Sequence, residues 1–219
     1  MPLKETDLIK NYPHLWHMAE DGSWDSIRER GLLSTSALLD LYEIDAARRT
    51  ELEARHRPES VPISRAGFPD AVIRDQKPMS DASLTRCLLD GLTPAQWYEK
   101  LNERTFFWLS KKSLCNLLGA KAYRNKPQIV LTLDTGSLVA AHRNRIELSP
   151  INSGSTLFTP QPRGHDTFLP INDYPFEHWR KQRHLVDAVK ELTVLHSVPD
   201  VARHVITVHR IVNGKPEKI

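Results

Sequence analysis

Apolar and polar positions alternate along this chain on a short wavelength. Leu15, Trp16 and Met18 form a brief apolar strand, and Asp21, Gly22 and Ser23 offer a turn and an N-cap. A helix is then expected over Trp24–Arg30, with Trp24 and Ile27 as the stripe that packs beneath the strand and Gly31 as its stop. The strand displays His17 at the edge of a cleft. Ahead of it, Thr6 or Asp7 caps an opening helix that Pro13 ends. After it, Ser34 begins a helical turn with Leu38, Leu39 and Tyr42 inward. Asp45 starts a charged helix that Pro58 ends and whose mostly polar faces predict a position outside the core. The proline-rich stretch Pro58–Asp70 reads as a loop and Ala71–Arg74 as a short strand.

The middle of the chain is better marked. Ser80 caps a helix whose Leu84, Cys87 and Leu88 share a face and which Gly91 closes; Thr93-Pro94 opens another that runs to Asn102. Thr105–Leu109 is a β-rich run suited to a sheet interior, and Ser110 then caps a helix carrying Leu114, Leu117 and Leu118. Gln128–Leu133 and Ile146–Leu148 read as strands separated by a short helix capped by Thr135. From Ser149 to Asp173 the chain turns to Pro, Gly, Ser, Thr and Asn, a long loop whose Phe158, Phe168, Ile171 and Tyr174 predict packing onto the body. Val189–Leu195 and His204–Val212 are the last strands, with a turn at Ser197–Pro199, and the tail NGKPEKI is expected to fray.

Short strands with helices between the early ones, and a strand-rich second half, predict an α+β fold rather than a doubly wound sheet. A length of 219 residues suits one domain, 1–219. No apolar run approaches the roughly 20 residues of a bilayer span, and no export signal precedes the first helix, so no membrane partner and a cytoplasmic location are expected. Cys87 and Cys115 sit in amphipathic stretches without ligand spacing, which predicts core cysteines and no metal. A net charge of +3 is too small to name a partner, although Arg143, Arg145 and Arg180–Arg183 fall in or beside loops where they can track phosphates. GxGxxG, GxxxxGK[ST] and GxSxG are all absent.

Three segments become informative together: LWHMAEDGSWDSIRERGLLS, AVIRDQKP and KELTVLHSVPDVARHVITV. Their order and character resemble the ADP-ribosyltransferase fold, in particular the branch of DarT toxins that modify single-stranded DNA. In that pattern an early strand carries a His followed by I-x-x-x-G-L-L, here His17 with Ile27 and Gly31-Leu32-Leu33. A middle segment supplies Arg74, and a late strand supplies the glutamate, here Glu191 with Val194, Val198, Pro199 and Ile206. The whole chain also resembles a bacterial family, of unknown activity, that shares LWHMAEDGSW, GLLSTSALLD, IRDQKPM, FFWL, LSPINSG and RGxDTFLP.

The resemblance implies a split antiparallel β-sheet core with helical insertions and an NAD-dependent mono-ADP-ribosyltransferase, NAD being the co-substrate. Breaking the nicotinamide–ribose bond develops oxocarbenium character, so a carboxylate at that ribose, Glu191, stabilises positive charge and can deprotonate an acceptor. His17 would hold a ribose hydroxyl and Arg74 would neutralise the pyrophosphate or steer the acceptor. Phe107 or Trp108 would face the nicotinamide, with Ala19, Ser34 and Thr35 as further NAD contacts. Asn152, Arg145 and Arg163 would bind the acceptor, expected to be a nucleobase of DNA or RNA, and a toxin of this type implies an antitoxin partner. Each residue also has a structural alternative. Glu191 can be a surface glutamate, Arg74 can pair with Asp70 or Asp75, Phe107 and Trp108 can be core, and Asn152, Ser153 and Arg163 can simply hold their loop. Two other functions stay open: an RNA 2'-phosphotransferase-like NAD enzyme, and a non-catalytic module that binds nucleotide or nucleic acid.

Overall fold

In a computed structural model that describes residues 3–219, the apolar run near the N-terminus becomes β1 (His14–Glu20), the hinge of the whole sheet. It pairs along its full length with β6 (Gln128–Asp134), Leu15 opposite Leu133 and Ala19 opposite Ile129. On its other side it meets β5 (Arg104–Trp108) at one residue pair among the described residues, Trp16 opposite Trp108. Beyond β5 come β9 (Glu191–Leu195) and β7 (Ile146–Ser149); beyond β6 comes β11 (Val205–Val212). Every pairing is antiparallel. The sheet therefore consists of two three-stranded halves joined at a single point, flanked by β8 (Leu169–Pro170) on one edge and β12 (Lys215–Lys218) on the other.

The pleat sorts side chains onto two faces. Leu15, Ala19, Leu131, Phe107, Leu192 and Leu148 all belong to the largest core cluster, which runs under both halves. On the opposite face Met18 and Val130 pack with Leu114 and Tyr123, and partly buried Trp16 and Trp108 join them. Trp97, Phe168 and Leu84 belong to a separate cluster that packs on β5 through Phe106.

Helix starts follow the local chemistry closely. Ser34, Asp45, Ser80, Thr93 and Ser110 each accept a backbone N–H at the head of α3 (Thr35–Leu41), α4 (Ala46–Ala54), α5 (Asp81–Thr85), α6 (Pro94–Asn102) and α7 (Lys111–Leu118). Thr93 and Gln96 complete a capping box at α6. Helix α2 (Trp24–Arg30) lies where expected, and Trp24 and Ile27 pack on the main core, whereas α1 (Glu5–Asn11) starts ahead of Thr6 and Asp7: Lys4 is its N-cap, with no side-chain cap bond, and the two expected caps lie inside the first turn. Ser23 does not cap α2, because its hydroxyl donates to the Glu20 carbonyl instead. Asp134, one residue before Thr135, caps α8 (Thr135–His142).

Several expectations are corrected. The charged helix α4 stops at Ala54 and buries Leu52 with Leu39, Tyr42, Ile63 and Ile73 in a small core of its own. The proline-rich loop contains β3 (Val61–Ile63), which pairs with β4 (Ala71–Ile73) in a two-stranded ribbon; an edge position tolerates Pro62. The helix after Ser80 ends at Thr85, short of Gly91. The C-terminal tail does not fray: Asn213 and Gly214, both at positive φ, turn β11 back into β12. Phe168, Ile171 and Tyr174 are buried as expected, but Phe158 stands fully in solvent. Cys87 is core and Cys115 is exposed. Two short helices, α9 (Phe176–Gln182) and α10 (Leu185–Ala188), fill a stretch without a distinct sequence signal, and β2 (Leu32–Leu33) pairs with β10 (Ser197–Val198).

Candidate functional site

Where β1 and β5 part company, their carbonyls lose strand partners and side chains replace them. The Phe106 carbonyl lies 2.8 Å from His17 Nδ1, and the Met18 carbonyl accepts from Arg74 Nη1 at 3.2 Å. Two of the residues singled out in sequence thus meet in the split. A carbonyl only accepts, so His17 Nδ1 carries the proton and Nε2 is left as an acceptor. Burial, only partly offset by the Phe106 hydrogen bond and reinforced by the nearby Arg74 charge, holds the His17 pKa down to about 4. His17 is therefore a neutral, tautomerically fixed hydrogen-bonding group at pH 7. Arg74 forms no ion pair with Asp70 or Asp75; its guanidinium lies 5.0 Å from the Tyr123 ring, whose hydroxyl donates to Asp75 at 2.8 Å.

Glu191 opens β9 opposite Trp108 on one side and Ser149 on the other. It is not a surface glutamate: 3% of it is exposed. Ser153 holds the carboxylate, donating from its hydroxyl at 2.6 Å and from its backbone N–H at 3.1 and 3.3 Å to the two oxygens. Burial outweighs these donors and the nearby Arg163 charge, and the pKa is raised to about 7. The register gives Glu191 and His17 different directions. Glu191 shares the row of Trp108 and Trp16, whereas His17, opposite Leu131, shares that of the main core and lies 5.8 Å from the Phe107 ring.

The remaining residues divide. Trp108 is partly buried on the Glu191 row, whereas Phe107 is 1% exposed in the main core, so it presents no ring to a ligand. Ala19 is likewise buried, Ser34 is a buried cap, and Thr35 is half-buried in the first turn of α3. Asn152 is exposed, on a shallow surface cavity of about 470 Å3 that Gln161, Gln182, Arg183, His184 and Lys190 also line. Arg163 is not a loop cation available to a phosphate. It is 1% exposed, and its guanidinium donates to the carbonyls of Gln161, Ser153 and Ser155 at 3.0, 2.8 and 2.9 Å. Three carbonyls arranged around one buried fork leave it no free face. Arg145 is committed too: it donates to Leu195 and Ser197 carbonyls and to His142 Nδ1.

Ser153, weighed in sequence only as a loop residue, is the closest partner of Glu191; the serine-rich SPINSGS run has no spacing that marks it. Sequence spacing also missed a group that the fold assembles from distant segments. His142, Asp200 and His204 bring one nitrogen or oxygen each within 4.8 Å of one another. Only the Asp200–His204 half, four residues apart, was visible locally.

The architecture is α+β on a large antiparallel sheet, with a neutral histidine where β1 and β5 part and a buried carboxylate on the opposite face of the sheet. No helix among the described residues is long and apolar enough to cross a membrane. The chain belongs to a family of unknown function, DUF7002, which it matches over residues 13–205. No curated protein matches it.

Proposed function

We propose that this protein is an NAD-dependent mono-ADP-ribosyltransferase with an ADP-ribosyltransferase-like core, acting in the cytoplasm on a nucleobase of DNA or RNA. The observation that carries the reading is the split itself: β1 and β5 separate beyond Trp16–Trp108, and His17 and Arg74 stand in the gap. His17 Nε2 would accept from a ribose hydroxyl, and Arg74, with donors to spare beyond its Met18 bond, would face the pyrophosphate. Glu191, on the sheet face opposite His17, would reach the ribose from across the gap as the C1′–nicotinamide bond breaks and its electron pair leaves with nicotinamide. The acceptor would then bond to C1′ and release its proton towards the carboxylate. Trp108, rather than Phe107, would supply the aromatic surface. Acceptor contacts would come from the cavity of Asn152, Gln161 and Gln182, where Arg183 and Lys190 would have to give up the Pro150 carbonyl and Asp187; this cavity replaces Arg163 and Arg145 in that role. A protein antitoxin would be the natural antagonist of such an activity.

One observation favours a second reading. Both Glu191 oxygens are engaged by Ser153 beneath the loop, as in a carboxylate that anchors a loop in a non-catalytic nucleotide-binding module. Isothermal calorimetry with NAD and a nicotinamide-release assay, on wild type, Arg74→Ala and Glu191→Gln, separate the two. The transferase reading expects NAD binding that Arg74→Ala weakens and turnover that Glu191→Gln abolishes. Binding without turnover supports the module, consumption of NAD only with 2'-phosphorylated RNA supports the phosphotransferase, and no binding removes all three. Labelled NAD with separate pools of DNA, RNA and protein identifies the acceptor.

A further inference from the structure

The histidine–aspartate–histidine group lies apart from the split, where the C-terminal end of α8 meets the turn between β10 and β11. His142 and His204 are 8% and 5% exposed, and the Asp200 side chain opens to solvent. Proton positions follow from the neighbours. Ser137 Oγ donates to the Asp134 carbonyl at 3.2 Å, so it accepts from His204 Nδ1 at 3.0 Å, and the neutral His204 ring carries its lone pair on Nε2. That Nε2 is buried, has no hydrogen-bond partner among the described residues, and lies 3.4 Å from Asp200 Oδ2. A lone pair facing a carboxylate oxygen in a buried position is unfavourable until a cation lies between them. His142 Nε2 approaches the other oxygen, Oδ1, at 2.7 Å.

We propose that His142, Asp200 and His204 bind a divalent transition-metal ion, with Zn2+ as the best fit. Two imidazole nitrogens and one carboxylate oxygen suit Zn2+ and disfavour Mg2+ and Ca2+, which require more oxygen ligands. The solvent side of Asp200 leaves room for water as a fourth ligand. Ser137 serves as the outer partner that orients His204. Arg145 works against the ion: its Nη2 donates to His142 Nδ1 at 2.8 Å, which keeps the proton on Nε2, the atom that must coordinate. Binding moves that proton to Nδ1, which can then no longer accept from Arg145, so the Nη2 contact breaks while Arg145 stays anchored through Nη1 to Leu195 and Ser197. The ion would clip α8 to the turn that follows β10.

The test uses the full chain stripped with a chelator. Titration with Co2+ should give the visible d–d bands of a four-coordinate site at one equivalent, and Zn2+ should displace them and raise the thermal midpoint. His204→Gln and Asp200→Asn should lose both the bands and the Zn2+-dependent midpoint shift, while the surface variant His178→Gln keeps them. Arg145→Gln, whose side-chain oxygen can accept from His142 Nδ1–H, should tighten Zn2+ binding by about ten- to a hundredfold in a chelator competition. Wild type without d–d bands, or Zn2+ binding that His204→Gln leaves unchanged, overturns the proposal. In the first case a proton on His204 Nε2, rather than a metal ion, faces Asp200 Oδ2.

Discussion

Replacing Glu191 by Gln should change how stability depends on pH, with a sign and size set by its burial. A carboxyl whose folded pKa lies above its unfolded value holds its proton more tightly when folded. Its contribution to stability is complete below the unfolded pKa of 4.5 and is lost as pH rises through about 7. At about 1.4 kcal/mol per pH unit, that interval amounts to about 3 kcal/mol. His17 opposes it. A histidine held down to about 4 contributes stability that is complete above 6.5 and lost as pH falls through about 4. Across the overlapping window the two slopes offset each other, so the wild-type curve alone is a poor witness and the difference between proteins is the measurement. In the Glu191→Gln variant the side-chain amide can still accept from the Ser153 hydroxyl, and it does not ionise. Relative to wild type, Glu191→Gln should therefore gain about 2–3 kcal/mol between pH 5 and pH 8, or roughly 4–12 °C in midpoint for a chain of this size. Urea unfolding followed by circular dichroism at several pH values reads this directly. Wild-type and Glu191→Gln curves that stay parallel from pH 5 to 8 would refute a buried, proton-retaining carboxyl.

Arg163→Ala should cost about 3–5 kcal/mol, because three loop carbonyls lose a shared charged donor and the guanidinium near Trp97 leaves a cavity; a loss below about 1 kcal/mol in urea unfolding would mean that the loop does not depend on this strut. Gly31→Ala should lower the midpoint sharply, since Gly31 sits at φ +89° and an added Cβ would come within 2.5 Å of Pro199 Cα and 2.8 Å of the Val198 carbonyl. A wild-type midpoint for that variant would contradict the close approach of α2 to the β10 turn. His17→Gln should weaken NAD binding in calorimetry with little change in midpoint, while Trp24→Ala, which removes part of the core beside α2, should cost about 2 kcal/mol. Reversal of that order would remove His17 from the nucleotide site.

What the chain settles by itself is whatever can be decided within a few residues. Thr93-Pro94 with Gln96, Ser34 before Ala37 and Asp45 before Ala47 compete for N–H groups two or three positions away, so these helix starts are legible directly. The same holds for the β-rich run Thr105–Leu109, and Asn213-Gly214 carried a hairpin signal that the polar composition of the tail obscured. The α+β class followed from the sum of such local patterns. Strand register is another matter, because it is set by pairings between distant segments. His17 and Phe106, joined across the split, are 89 residues apart, and Glu191 and Ser153 are 38 apart. A shift of one residue in either pairing would exchange the faces of the sheet, and nothing local forbids it. Only the assembled sheet therefore decides that His17 and Arg74 share the split while Glu191 lies in another row. Burial is decided in the same way: Arg163 looks like any loop cation until three carbonyls close around it, and His142 acquires Asp200 only when α8 docks beside the turn into β11.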